Sequence, residues 1–419
     1  MNRASAAMIR GLMRFGPGLL PFADAATAEL PMGRLLRLSL FQMTVGMAAV
    51  LLIGTLNRVM IVELNVPSWI VAIMLALPLL FAPFRALVGF RSDNHRSFLG
   101  WRRVPYIWMG TMLQFGGLAI MPFALLILSG DTTGPLFVGH VAAALAFLLV
   151  GAGLHTVQTV GLALATDLAP EHARPRVVAL LCAMLLLGMA VSALIFGLAL
   201  SNFSQIRLIQ VVQGSAVVTI ALNGIALWKQ EPRSTLIAPD GAARAPFRSA
   251  WTSFAQESRT RRRLFATALG TAAFSMQDIL LEPYGGKILH MPVAATTAMT
   301  AMLAIGGGLG LILAARWLTR GADAHRVAAI GAVVGVQAFA AVILSAPMEA
   351  ASLFALGVML IGLGAGMFAH GTLTATMGLA RPQDRGLALG AWGAAQATAA
   401  GLAIGLSGAI NDLGAAIAA

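Results

Sequence analysis

Apolar stretches of about twenty residues recur from one end of this chain to the other, and that one feature removes most folds from consideration. A hydrocarbon core about 30 Å thick takes about 20 residues to cross at a rise of about 1.5 Å each. The runs are continuously apolar and do not alternate, which points to helices and away from a barrel. Only 11% of the 419 residues are charged and 58% are hydrophobic, whereas a soluble domain carries about 25% charged residues. The expected class is therefore an all-α polytopic membrane protein. Eleven spans are predicted, at 38–62, 68–90, 105–128, 136–166, 177–200, 208–228, 264–282, 293–315, 327–345, 351–378 and 387–410.

Basic residues orient these spans. Of the 28 Lys and Arg residues, 24 fall in one alternate set of loops, while the opposite set holds Arg58, Arg207 and Lys287, and Arg85 lies inside the second span. That bias puts the N-terminus and the long central loop in the cytoplasm. The net charge of +12 accordingly belongs to loops facing anionic membrane lipids and does not indicate nucleic-acid binding. The single cysteine, Cys182, lies in an apolar run, so no intramolecular disulfide or cysteine metal centre is expected. The opening M-N-R-A-S-A-A-M-I-R-G-L-M-R-F is basic and weakly amphipathic. It lacks the apolar core of a secretory signal and reads as a short interfacial segment.

Residues 229–263 form the only long polar connection. They divide the chain into a six-span half (1–228), a basic linker (229–263) and a second half (264–419) with five spans. The halves repeat: V-G-A-G-L-H-T at 150–156 parallels L-G-A-G-M-F-A at 363–369, and L-A-P-E-H-A-R at 168–174 parallels L-A-R-P-Q-D-R at 379–385. Such self-similarity argues for two related bundles. The loop G-F-R-S-D-N-H-R-S-F-L-G-W-R-R at 89–103 resembles the loop signature of the major facilitator superfamily. Gly89, Asp93, Arg96, Arg102 and Arg103 would there tie helix ends together. That superfamily's plan has six plus six helices. The twelfth is absent here and is expected to lie beyond the given residues, because an unpaired second half would leave helix surface uncovered.

A narrower resemblance follows from L-N-R-V-M-I-V-E-L at 56–64, L-P-L-L-F-A-P-F-R-A-L-V-G-F-R-S-D at 77–93 and G-W-R-R-V-P-Y-I-W at 100–108. Q-F-G-G-L-A-I-M-P-F-A-L at 114–125, Q-T-V-G-L-A-L-A-T-D-L-A-P-E at 158–171 and A-F-S-M-Q-D-I-L-L-E-P-Y-G-G-K-I-L at 273–289 extend it. These runs resemble the PucC/LhaA family, the bacteriochlorophyll-delivery branch of the superfamily in purple photosynthetic bacteria. The resemblance implies an assembly factor for light-harvesting antenna complexes, with the core antenna preferred over the peripheral one as client. Bacteriochlorophyll would be its cargo. Antenna polypeptides, the reaction centre–core antenna complex, pigment-synthesis enzymes and membrane lipids would be its partners.

Two groups of residues stand out as candidate sites. In the seventh span Asp278 lies about 21 Å along the helix, and Glu282 shares its face one turn on, with Gln277 adjacent. An acid at membrane depth costs a few kcal/mol and calls for a partner or cavity. Asn57, Arg58 and Glu63 occupy the matching place in the first span. An inter-half polar cluster is therefore expected, with Arg58 paired to Asp278 or Glu282, Asp278 the functional acid and Glu282 wet at the helix end. The second group is His155 with Gln158, Thr159 and Thr166 on one face of the fourth span, and His370 near the equivalent place in the tenth. A neutral imidazole can ligate the Mg²⁺ of bacteriochlorophyll, although a lone buried histidine is more often a helix-packing residue. The glycines at 306–308, 310, 362, 364 and 366 read as close helix packing. No nucleophile–base constellation, metal cluster or nucleotide loop is present, so enzymatic activity is not expected. A proton-coupled transporter using Asp278 and a pigment-free scaffold for antenna assembly stand as alternatives to pigment delivery.

Overall fold

The computed structural model describes residues 26–27, 30–80, 88, 92, 100–130, 132–170, 173–231, 258–377 and 385–418. These residues fold as helices joined by short turns: α1 Met32–Glu63, α2 Ser68–Leu80, α3 Val104–Leu128, α4 Leu136–Leu168, α5 Arg174–Ala199 and α6 Gln205–Leu227, then α7 Ser258–Lys287, α8 Val293–Thr319, α9 Ala324–Ser345, α10 Ala351–Met377 and α11 Arg385–Ala418. Ten are long and apolar enough to cross a membrane, and α2 contributes a shorter apolar helix over its described residues. Every expected span meets a helix. The predicted interfacial segment at the N-terminus and residues 232–257 of the linker lie outside the described residues.

Local sequence explains the boundaries. Proline stands at the N-terminal edge of α1, α3, α4, α5 and α8, where its missing N–H has no helical partner to lose. Helices end on residues with positive φ: Asn65 after α1, Gly130 after α3, Lys229 after α6, His290 after α7 and Gly321 after α8. Several helices outrun their predicted spans, among them α1, which starts at Met32 and not at 38. α7 starts at Ser258 and not at 264, and α11 reaches Ala418 and not 410. In α7 the added turn contains Arg259, Arg261, Arg262 and Arg263. Arginine is a good helix former whose charge lies outside the apolar window that sets a sequence-based boundary.

α1 is central: 83% of its apolar window is buried inside the protein, against 22–50% for the other nine crossing helices. The others turn Leu, Ile, Val and Phe side chains outward, as a lipid-facing surface requires. Helices α4, α5 and α6 pack against α1, α3 packs on α4 and α6, and α8, α9 and α10 form a second cluster. The glycines act as expected. Gly306 and Gly310 press on the Met359 and Leu363 carbonyls of α10, Gly362 and Gly366 press back on α8, and Gly331 abuts Gly364. Backbones meet there because no side chain intervenes.

Candidate functional site

The break in α7 builds the site. Pro283 has no N–H, so the carbonyl of Ile279, four residues earlier, loses its helical donor. A turn at Met276 interrupts the helix just before it. Irregular backbone at membrane depth persists only where another group satisfies it. That group is Asn57, fully buried, whose Nδ2 donates to the carbonyls of Asp278 at 3.1 Å and Ile279 at 3.2 Å. Asn57 lies between two π-helical stretches of α1, Val50–Leu56 and Val59–Glu63.

The charges are arranged differently from the sequence-based expectation. Arg58, 4% exposed, does not pair with Asp278 or Glu282. Its Nη1 lies 2.6 Å from Glu63 Oε1 in its own helix, and its Nη2 donates to the Met291 carbonyl at 3.1 Å. Glu63 is five residues from Arg58, a spacing that the wider π-helical turn brings onto one face. Glu282 is not wet. It is 5% exposed, accepts a hydrogen bond from Thr300 of α8 and sits against Gly54 of α1, where a Cβ would lie 2.5 Å from its Oε1. Asp278 is only half-buried and accepts from the Gln277 amide. The expectation that Glu282 is wet is thus overturned, because Pro283 ends no helix: α7 continues to Lys287 and carries Glu282 inside. Among the described residues, three buried polar atoms of this cluster find no hydrogen-bond partner: Asn57 Oδ1, Arg58 Nε and Glu282 Oε2.

The cluster belongs to a longer seam between α1–α6 and α7–α11. Thr55 faces Thr297 at 3.5 Å, Asn411 Nδ2 donates to Ser68 Oγ at 3.1 Å, and Asp412 accepts from the Trp69 N–H at 2.8 Å. Gly197 touches the Ala294 carbonyl, and Leu186 reaches Gly307 and Gly308. These contacts run from the ends away from the basic loops to mid-helix. Cys182, one turn nearer the basic end than Leu186 on the same face of α5, is exposed.

At the basic end the described contacts stay within each group. Arg34 Nη2 donates to the Gln230 carbonyl at 2.6 Å. Arg102 and Arg103 reach Asp167 at 2.7 and 2.6 Å. The Glu231 carboxylate accepts the N–H groups of Arg102, Arg103 and Val104, which open α3, at 2.9–3.1 Å. Arg263 donates to the Ala375 carbonyl. Gly89, Asp93 and Arg96 lie outside the described residues, and Arg103 also reaches Ser92 Oγ at 3.2 Å. Sequence reading missed Asp167 and Glu231. Both lie within three residues of the end of an apolar run, where an acid near a basic loop is a signal for a tie. It also missed the buried chain Thr44–Asn223–Thr111, with links of 2.9 Å each, which joins α1, α6 and α3. His155, Gln158 and Thr159 stand half-buried on α4, and His370 half-buried on α10. Among the described residues no three His, Cys, Asp or Glu side chains converge as metal ligands.

A family model described as "PUCC protein" matches residues 55–419. The chain is 56% identical to "Protein PucC" of Rhodovulum sulfidophilum, over 96% of this chain and 89% of that one. It is also 56% identical to a Rhodobacter capsulatus protein described as "Uncharacterized protein in puhA-bchM intergenic region", over 96% of this chain and 84% of that one. Among solved structures the nucleoside transporter NupG (D323A mutant) superposes with a TM-score of 0.68 at 15% identity, covering 91% of this chain and 92% of that one. The fold is that of the major facilitator superfamily.

Proposed function

The chain belongs to the PucC family, and on that footing we propose that it is an assembly factor for light-harvesting antenna complexes, delivering bacteriochlorophyll to antenna polypeptides or inserting it into them. The observation that carries this reading is the 56% identity to a PucC protein across 96% of the chain. The seam's chemistry agrees with an apolar cargo. Arg58 is engaged by Glu63 in its own helix and by the Met291 carbonyl across the seam, and Glu282 by Thr300 through one carboxylate oxygen, which leaves few charged groups for a polar path. In this reading the antenna polypeptides and the reaction centre–core antenna complex are the partners, and His155 is the Mg²⁺ ligand. The basic loops face the cytoplasm.

Purification in mild detergent followed by pigment extraction tests it. Stoichiometric bacteriochlorophyll that is lost in His155→Ala, with antenna polypeptides co-purifying, is the expected result. Antenna polypeptides without pigment would mean a scaffold. A second reading, proton-coupled transport, is favoured by one observation: Glu282 is buried at the seam with Oε2 unpartnered. Acid-driven solute uptake in vesicles that Glu282→Gln abolishes would establish it.

A further inference from the structure

A groove of about 440 Å³ opens on the outside of the first bundle, lined by Arg37, Trp108, Ile220, Gly224, Ile225 and Trp228, with Ala221 between them. Its polar part is confined to one end. Arg37 lies in the second turn of α1, Trp108 in the second turn of α3 and Trp228 directly after α6, so all three stand at the basic ends of their helices. Gly224 and Ile220 lie one and two turns deeper along α6. A cation at headgroup level flanked by two tryptophans, above an apolar floor, is the profile of one phospholipid seen from its binding site.

Arg37 supplies the charge argument. Arg34, one turn earlier, is consumed by Gln230. Arg37 has its Nε buried without a hydrogen-bond partner, and no carboxylate among the described residues pairs with it. Trp108 and Trp228 remain 42% and 65% exposed, and nothing lies within 4 Å of a Cβ built on Gly224. The groove is thus open along its length and carries a positive charge that its own walls leave unanswered.

We propose that this groove is a binding site for one anionic phospholipid, its phosphate on Arg37 and an acyl chain running over Gly224 towards Ile220. The phosphate answers the guanidinium in the bidentate manner that Arg favours. The tryptophans bracket the glycerol level. The site lies on the lipid-facing side of the first bundle, apart from the seam, and is independent of the cargo.

The tryptophans also report on occupancy. The full chain is reconstituted in phosphatidylcholine nanodiscs doped with brominated phosphatidylglycerol or, separately, brominated phosphatidylcholine. Trp228→Phe identifies the groove's share of the fluorescence. Selective quenching by the anionic lipid, with a preference of about fivefold, is expected because Arg37 meets a net negative headgroup there, whereas choline offsets the phosphate of phosphatidylcholine. Arg37→Ala should remove the preference, and Gly224→Leu, which fills open space and keeps the charge, should remove quenching by both lipids. Arg37→Lys should retain part of the preference. Equal quenching by both lipids in the wild type, or a preference that survives both variants, overturns the proposal. So does bacteriochlorophyll lost in Gly224→Leu with lipid quenching unchanged, which would make the groove a pigment site.

Discussion

Replacing Asn57 by Leu should loosen the seam, because it keeps the volume and removes two donors that α7 needs. The wild-type amide holds the Asp278 and Ile279 carbonyls at 3.1 and 3.2 Å. Interhelical hydrogen bonds in membranes average about 0.6 kcal/mol, so two give about 1.2 kcal/mol. The Ile279 carbonyl, already deprived of a helical donor by Pro283, is then left bare in a buried site, which raises the upper bound to about 3 kcal/mol. The lower figure alone increases the parted population about sevenfold. A buried reporter reads it: in a Cys182→Ser background, Thr297→Cys introduces a thiol at a position that is 0% exposed. Its maleimide labelling rate, when opening is fast and reversible, follows the open population. Asn57→Leu should raise that rate by about sevenfold or more. A second variant makes the reasoning strict. Pro283→Ala restores an N–H to residue 283, so Ile279 regains an intrahelical donor. The effect of Asn57→Leu should be smaller in that background, with a coupling of about 0.5–1 kcal/mol. A labelling rate unchanged by Asn57→Leu, or strict additivity with Pro283→Ala, would refute the account of the α7 break.

Three more outcomes are expected. Gly54→Ala places a Cβ 2.5 Å from Glu282 Oε1 and 2.9 Å from Thr300 Oγ1, and the displaced carboxylate should lower detergent-state thermal stability by about 1–3 kcal/mol; a melting temperature equal to wild type would show that the contact is slack. Glu231→Gln keeps an acceptor for the α3 N-terminus but removes its charge, so it should cost about 0.5–1 kcal/mol and less in high salt, as read by thermal melting at two ionic strengths. Asp323 caps α9 through the Arg326 N–H at 3.0 Å, and that bond holds its carboxyl below the usual carboxylate range. A depressed pKa stabilises the fold above the unfolded value near 3.9 and loses the effect as pH falls through the folded value. Asp323→Ala should therefore melt earlier than wild type at pH 7, with the gap closing below about pH 4.

The helical layout was legible because hydropathy at bilayer length is a strong, local signal. The helices appear where the apolar runs lie, and the glycines of 306–310 and 362–366 pack as their composition suggests. Asn57 and Arg58 of α1 meet the 277–291 segment. Its wiring was not legible. Nothing in the letters N-R-V-M-I-V-E shows that α1 widens into a π-helix, and in an ordinary α-helix Glu63 would face away from Arg58. The seventh span is predicted to end at 282, just before Pro283, although in a membrane a neighbouring side chain can satisfy the carbonyl that a proline frees. The ties at Asp167 and Glu231 join residues 64–65 and 127–129 positions distant, a separation that periodicity cannot see.

The choice of a neutral clasp over an ion pair has consequences for how the seam behaves. An Arg58–Glu282 pair across the bundles would have been strongly destabilising to break, because parting it leaves a buried charge uncompensated. Here Arg58 keeps its ion partner Glu63 within α1, so the bundles can part without dividing that pair. What holds the seam directly is amide-to-carbonyl and packing contact, with the Arg58 guanidinium on the Met291 carbonyl and the Asp412 carboxylate on the Trp69 N–H, bonds that can each be exchanged for water without dividing an ion pair. Against it stand Arg58 Nε and Glu282 Oε2, both buried and unpartnered, which regain hydration when the seam opens. Closure is therefore a balance of small opposing terms, the condition under which a modest differential affinity of a cargo or client for one state can shift the population. A seam fastened by a shared ion pair would need far more.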